Sequence, residues 1–441
     1  MSFVASLRRL WRHRLFRRLL TLRVAAQAAD GAAQVGTATY VLFSPQQQPD
    51  AWSIAGVLAI TLLPFSILGP FVGVVLDRWS RRDVIAVTAL VRAVVCIALA
   101  ALIVGGQRGG PVAAAFFVAV LISMSLGRFL GAGLAAAMPH TVEVDEYLLA
   151  NSVMPIVGPV GALIGAGLAG ALRLGLAQAI PTHQADAIVF TLAAGLFALS
   201  LMIVWPVGRL VLGPEPDAPR TRATDVVRGL VAAVAHLRER RPAGVGLVTI
   251  GVHRIWHGVV MAGSILLFRN YFHAQHEVNA AMGDLGLWAG ATAAGFVLAS
   301  FVTPAATARL GLRRWLIVLL TVSAVLQVVP GSIFERWAQV AAAFAIGIGA
   351  QSIKICVDTL VQAHVGDGFK GRAFVLYDMV FNVVQVGSAV LAAMLLPADG
   401  AGFAVFVAMG VGYLLTGIGF AAVTRGQDAA YGLGGAARER A

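Results

Sequence analysis

The sequence predicts an all-α polytopic membrane protein, with twelve transmembrane helices in two pseudo-symmetric six-helix bundles. Three observations lead there. First, 59% of the 441 residues are hydrophobic and only 12% are charged, whereas a soluble domain is about 25% charged. Second, apolar runs of roughly 18 or more residues recur from end to end, each long enough to cross a hydrocarbon core about 30 Å thick. Third, arginines collect in alternate connections between those runs, as expected where one side of a membrane carries the excess of Lys and Arg.

The runs place spans at 19–43, 52–76, 83–104, 111–138, 150–174, 185–211, 243–270, 283–305, 314–333, 337–363, 372–396 and 401–424. A polar segment over 212–242, opened by Pro214, Pro216 and Pro219, divides them six and six. The chain therefore organises as a basic N-terminal segment (1–18), a first bundle (19–211), a linker (212–242), a second bundle (243–424) and a tail (425–441). In the linker Val227, Leu230, Val234 and Leu237 repeat at helical spacing, with Thr224 placed to cap. That pattern predicts an amphipathic helix on the inner membrane surface.

The arginines set the orientation. Arg8, Arg9, Arg12, Arg14, Arg17 and Arg18 precede the first span, and Arg78, Arg81 and Arg82 follow the second. Arg220, Arg222, Arg228, Arg238, Arg240 and Arg241 lie in the linker, Arg309, Arg313 and Arg314 after the eighth span, and Lys370 and Arg372 after the tenth. The opposite connections hold only Arg108, Arg269, Arg336 and, at a helix edge, Arg173. Both termini are expected in the cytoplasm, with the chain in a bacterial plasma (inner) membrane.

Other classes fit less well. The net charge of +12 invites nucleic acid as a partner, but the basic residues sit at helix ends rather than on one folded face. Cys96 and Cys356 lie inside apolar runs and are read as packing residues. There is no Gly-x-x-x-x-Gly-Lys-Ser/Thr for ATP and no nucleophile–base cluster, so no enzyme and no catalytic residue is expected. His253 and His257 lie one turn apart without a Cys, Asp or Glu beside them, so no metal site is expected.

Ionisable residues at bilayer depth are costly and usually face a cavity or a partner. The first span carries Arg23, Gln27, Asp30 and Gln34 on one face, with Asp30 near mid-depth and Arg23 expected to reach to the inner surface. The fourth carries Arg128, and the seventh His253, Arg254 and His257. The tenth carries Gln351, Lys354, Asp358 and Gln362 in one stripe, and the eleventh Asp378, Asn382 and Gln385. Spans 1, 4, 7 and 10 are what nested three-helix repeats would bring to a central path. Asp30 is either a proton carrier or the partner of Arg128. Lys354 and Asp358, at i and i+4, either neutralise each other or line the path. Arg92 on the third span is read as structural.

After the second span the chain runs Gly73-Val-Val-Leu-Asp77-Arg78-Trp79-Ser80-Arg81-Arg82. This resembles the signature between helices 2 and 3 of the major facilitator superfamily, Gly-x-x-x-Asp-Arg-x-Gly-Arg-Arg, with Ser80 in place of the second Gly. By that resemblance Gly73, Asp77, Arg78, Arg81 and Arg82 form a cytoplasmic gate, with the Asp at a helix N-terminus where the dipole favours it. Ala308-Arg-Leu-Gly-Leu-Arg-Arg314 looks like its degenerate second copy. Gly127-Arg128-Phe-Leu-Gly-Ala-Gly133 is similar to the family's fourth-helix pattern, without its usual Gln. Gly158-Pro159-Val-Gly161 in the fifth span looks like the Gly-Pro motif of the family's antiporters.

The resemblance covers residues 18–425, nearest to the macrolide-efflux and drug:proton antiporter branch, with the lysophospholipid-transporter-like branch second. It implies a secondary transporter working by alternating access, exporting an amphipathic molecule or drug against protons. Alternatives are a lysophospholipid flippase, an importer of the same fold, or a receptor or scaffold that does not transport. The expected partners are the bilayer and a small-molecule or lipid substrate. No cofactor is expected beyond the proton gradient as energy source, and the chain is expected to be a monomer. The residues expected to contact substrate or couple protons are Gln27, Asp30, Gln34, Arg128, Arg254, His257, Gln351, Lys354, Asp358, Asp378 and Asn382.

Overall fold

A bilayer core offers no water to backbone N–H and C=O groups, so apolar spans must satisfy them internally as helices. The computed structural model describes residues 10–42, 50–105, 110–143, 146–176, 179–213, 222–274, 276–428 and 431. Arg8, Arg9, Arg108, Arg220, the proline-rich start of the linker and the end of the tail lie outside the described residues. All regular structure among the described residues is helical.

The helices are α1 (Arg14–Leu42), α2 (Ala51–Leu68), α3 (Arg81–Val104), α4 (Gly110–Ala137), α5 (Tyr147–Leu176) and α6 (Thr182–Val204). The linker forms α7 (Ala223–Glu239). Then follow α8 (Arg241–Leu266), α9 (Val278–Leu310), α10 (Leu312–Leu326), α11 (Arg336–His364), α12 (Asp367–Leu395) and α13 (Phe403–Val423). A 3-10 turn at Gly69–Phe71 extends α2 into a last helical piece, Val72–Leu76, and a π-helical turn at Leu267–Tyr271 ends α8.

Ten helices among the described residues are long and apolar enough to cross a membrane. Two of the expected twelve spans fall outside that group. α1 is diluted by its own charges and by the stripe of Gln27, Asp30 and Gln34, and α10 is 15 residues long before a short helical turn at Val329–Ser332. Both stand at the predicted positions of the first and ninth spans.

The chain packs as two compact units, Met1–Val41 with Ile67–Val226, and Leu42–Ser66 with Val227–Ala441. This cuts across the contiguous division at 212–242. Most of α2 groups with the second unit, where Ser66 donates to the Met379 carbonyl at 3.3 Å. The linker helix groups there too from Val227 onward.

In the first unit α3 packs along α6, and in the second α10 packs along α13. These are the third and sixth helices of each half. The first and fifth helices of the first half meet through glycine. A Cβ on Gly31 would collide with the Ala162 carbonyl, and one on Gly165 with the Ala28 carbonyl. Only a residue without a side chain allows that approach, which is how membrane helices gain close packing. The corresponding pair of the second half, α8 and α12, also packs together, with Gly258 against Ser388.

Cores of small and aliphatic residues fill each unit. Ala26, Ile85, Ala89 and Leu134 pack in the first, and Ile250, Leu316, Leu320 and Val357 in the second. Cys96 and Cys356 are buried free thiols within these packing surfaces. α7 turns Gly229, Ala233 and Leu237 inward and leaves Val227, Val231 and Val234 exposed. Thr224 lies inside this helix and does not cap it. Instead the Asp225 carboxylate accepts the backbone N–H of Arg222 at 3.2 Å.

Candidate functional site

The arginine-rich end of each unit is pinned by guanidinium groups on helix-end carbonyls. Helix C-termini leave carbonyls without intrahelical donors, and a cation there is favoured by both hydrogen bonding and the dipole. Arg82 donates from Nε to the Val207 carbonyl at 3.2 Å and from Nη2 to that of Trp205 at 2.5 Å, and its guanidinium covers the Trp205 ring. Arg81 donates to the carbonyls of Ala136 and Leu212 at 2.9 and 3.2 Å. Ser80 accepts the Asp83 N–H and so caps α3, the task left to it by the missing glycine.

Asp77 is the C-terminal cap residue of the helical piece that extends α2. The carboxylate on the first turn of α3 is Asp83, which binds Arg82 and Arg209 at 2.7 Å each. Gly73 and Arg78 are exposed. In the second unit Arg313, the second residue of α10 as Arg82 is of α3, donates to the Ala421 carbonyl at 3.1 Å and to Thr424 Oγ1 at 2.9 Å. The degenerate copy of the loop signature therefore keeps its arginine and its target, the end of the last helix of its half.

Deeper in the first unit lies a buried polar cluster. Arg92 of α3 is fully buried and pairs through Nη2 with Asp30 Oδ1 of α1. Its Nε donates to Ser123 Oγ of α4 at 3.2 Å, and its guanidinium lies 4.1 Å from the centre of the Phe197 ring of α6. Gln27 donates to the other Asp30 oxygen at 2.9 Å. Four helices thus converge on the Arg92 guanidinium, and the Asp30 side chain beside it keeps 16% exposure.

The cation beside Asp30 is Arg92, not Arg128. Arg128 is half-buried near Gly69, where an added Cβ would come within 3.0 Å of its guanidinium. Arg23 is half-buried. Its guanidinium lies against Gly158, and Gln27 beside Gly158 and Gly161, so the Gly-Pro159 segment of α5 is the wall on which the polar face of α1 rests. Gln34 is exposed.

The second unit holds a different cluster. His253 and His257 are buried and stack one turn apart, ring centres 5.5 Å from each other. The Tyr413 hydroxyl of α13 sits 2.9 Å from His253 Nδ1. Arg254 lies over the Phe381 ring at 3.7 Å and reaches Gln385 Oε1 at 3.5 Å. Nε of Arg254 and Nδ1 of His257 have no hydrogen-bond partner. On α11 Lys354 and Asp358 form an ion pair at 2.6 Å, and Lys354 lies over Tyr377. Gln351 and Asn382 are half-buried and Asp378 is exposed.

Sequence reasoning missed the partners more than the charges. Arg92 was visible as a midspan cation, and a buried carboxylate needs one. Tyr413 and Phe197 carry no such sign, since an aromatic in an apolar span looks like packing.

Comparison with known proteins agrees with this architecture. No protein-family model matches the chain. MFS-type transporters of Mycobacterium bovis and Mycobacterium tuberculosis are each 32% identical to it over 412 residues, covering 91% of this chain and 89% of the relative. Among solved structures, the nucleoside transporter NupG matches with a TM-score of 0.69 at 13% identity, over 93% of this chain and 99% of that one. A POT family transporter in complex with 5-aminolevulinic acid matches with a TM-score of 0.68 at 11% identity, over 94% and 96%. The relatives carry the names of transporters, and the solved neighbours share the fold. This multi-pass membrane protein belongs to the major facilitator superfamily.

Proposed function

We propose that the chain is a secondary active transporter that exports an amphipathic small molecule in exchange for protons, by alternating access. The observation that carries this reading is the Asp30–Arg92 pair. A carboxylate held at bilayer depth by a fully buried guanidinium is expensive to build, and a bundle that needed only packing would do as well with apolar side chains. Because Asp30 keeps partial exposure, a proton can reach it. Protonation removes the negative charge, weakens the hold on Arg92 and Gln27, and frees the α1 face to shift between α3 and α5. Release of the proton restores the pair.

The second bundle supports substrate contact rather than coupling. Arg254, His257, Gln351 and Asn382 supply donors and acceptors beside aromatic rings, a mixture suited to a molecule with one polar and one apolar side. Lys354 and Asp358 pair with each other and hold the α11 stripe neutral. The solved neighbours are named for nucleosides and peptides, and at such low identity their substrates do not transfer.

Purified protein in liposomes, loaded with amphipathic cations or lysolipids, tests the proposal under an imposed pH gradient. Drug movement should follow the gradient, and Asp30→Asn should abolish that dependence while leaving exchange without a gradient. Movement indifferent to the gradient in the unaltered protein would overturn it. Lysolipid movement in place of drug movement would point to the flippase reading.

A further inference from the structure

A groove of about 590 Å³ opens along the second unit, walled by α7, α8, α12 and α13. Its lining is almost wholly apolar, with Val234, Val245, Val248, Val380 and Phe420 among its residues. Thr249 and Thr416 also line it, with their hydroxyls turned to helix carbonyls, and the charged exceptions stand at one end, where Arg238 of α7 and Arg241 of α8 form the rim. Both side chains are exposed, and among the described residues neither has an ion-pair partner. Glu239 is the acidic neighbour in sequence, outnumbered by Arg238, Arg240 and Arg241.

The groove has the depth of one leaflet. From Arg241 to Val252 the lining follows α8 for 11 residues, or about 16 Å at 1.5 Å per residue. Half of a hydrocarbon core about 30 Å thick is the same length. The outer edge of α7 adds Val227, Val231 and Val234, an exposed apolar stripe that fits a helix seated in the membrane interface.

The first unit carries a smaller counterpart. A groove of about 360 Å³ lies between the start of α1 and the end of α6, rimmed by Arg14, Arg17 and Arg18 and backed by Met202, Ile203 and Pro206. In both units the first and last helices of the half contribute to the walls and arginines to the rim.

We propose that the groove of the second unit binds a diacyl anionic phospholipid from the arginine-rich leaflet. The headgroup phosphate sits on Arg238 and Arg241, and an acyl chain fills the apolar floor. A lipid placed this way bridges the linker helix to the bundle, because Arg238 and Val234 belong to α7 while Arg241, Val245 and Val248 belong to α8.

Native mass spectrometry of the full chain in detergent tests this with dioleoyl phosphatidylglycerol, the phosphatidylcholine of equal chains, and soluble glycerophosphate. Two surface arginines near an anionic headgroup should favour phosphatidylglycerol over phosphatidylcholine by about tenfold. Arg238→Gln with Arg241→Gln should bring the two lipids to parity. Gly419→Leu fills the groove at a position where an added Cβ meets nothing within 4 Å, and should weaken both lipids severalfold. Parity in the unaltered protein, a preference that survives the arginine changes, or glycerophosphate binding as tightly as the lipid would overturn the proposal. The comparison of lipids on unaltered protein decides the matter even if a variant fails to fold.

Discussion

At the scale of single residues, the chemistry is governed by what each buried charge finds. Arg92 finds a carboxylate, a hydroxyl and an aromatic face, which compensate most of its burial while Nη1 is left without a hydrogen-bond partner. Removing one partner of such a pair costs about 3–5 kcal/mol because the other charge is stranded. Arg92→Leu should therefore lower the thermal stability of the purified protein sharply, and adding Asp30→Asn should recover most of the loss. A double variant no more stable than Arg92→Leu would show that the guanidinium serves some partner other than Asp30. Tyr413→Phe is a milder case. It deletes the hydroxyl at His253 and should cost about 1 kcal/mol, measured by thermal unfolding. Asp30 and the histidines were legible in the sequence as charges out of place, but their partners were not. Arg92 is 62 residues from Asp30 and Tyr413 is 160 from His253, and no helical period connects residues on different helices.

At the scale of elements, length and apolarity decide where helices lie, and small residues decide how near they come. Gly165→Leu should block the α1–α5 approach and leave little folded protein, seen as loss of the monodisperse peak in size-exclusion chromatography. Gly167→Leu serves as control, since a Cβ there meets nothing within 4 Å. The helix-end arginines act differently. Arg313→Ala uncovers the Ala421 carbonyl and the Thr424 hydroxyl and should cost about 1–3 kcal/mol in thermal stability, with the spread set by how much water replaces the guanidinium. The linker helix shows where periodicity misleads. Val227, Leu230, Val234 and Leu237 form a helical stripe, yet the protein-facing side is Gly229, Ala233 and Leu237. Gly229 meets the Arg372 side chain and His236 stacks on Phe369 at 4.4 Å. Small residues let the helix settle against the start of α12, and the valines stay exposed.

At the scale of the molecule, the alternation of arginines predicts topology. Within each unit the structure gathers the arginine-bearing ends together. His13 pairs with Glu146 at 2.6 Å, Arg81 reaches the end of α4 and the Leu212 carbonyl beyond α6, and His236 meets Phe369. The opposite ends spend their few cations internally, as Arg173 on Asp186 at 2.7 Å and Arg336 on Asp284 at 3.1 Å. A cysteine introduced at Arg222 should react with a membrane-impermeant maleimide only in inverted vesicles, and one at Trp337 only in intact cells. The native Cys96 and Cys356 are buried and serve as a silent background. Labelling of both positions from the same side would refute the alternation.

The sequence by itself determined the solvent of this protein, the position of its helices, the repeat of its halves and the charges that have no place in an apolar span. Each is a local property, carried by composition, run length or spacing along one helix. Tertiary structure decided which charge meets which, that Asp30 takes Arg92, that the polar face of α1 rests on the glycines of α5, and that the arginines of α3 and α10 hold the ends of α6 and α13. Those pairings depend on the rotation and depth of separate helices, which are set by the packing of glycine, alanine and aromatic side chains across the contact rather than by any period within a single helix.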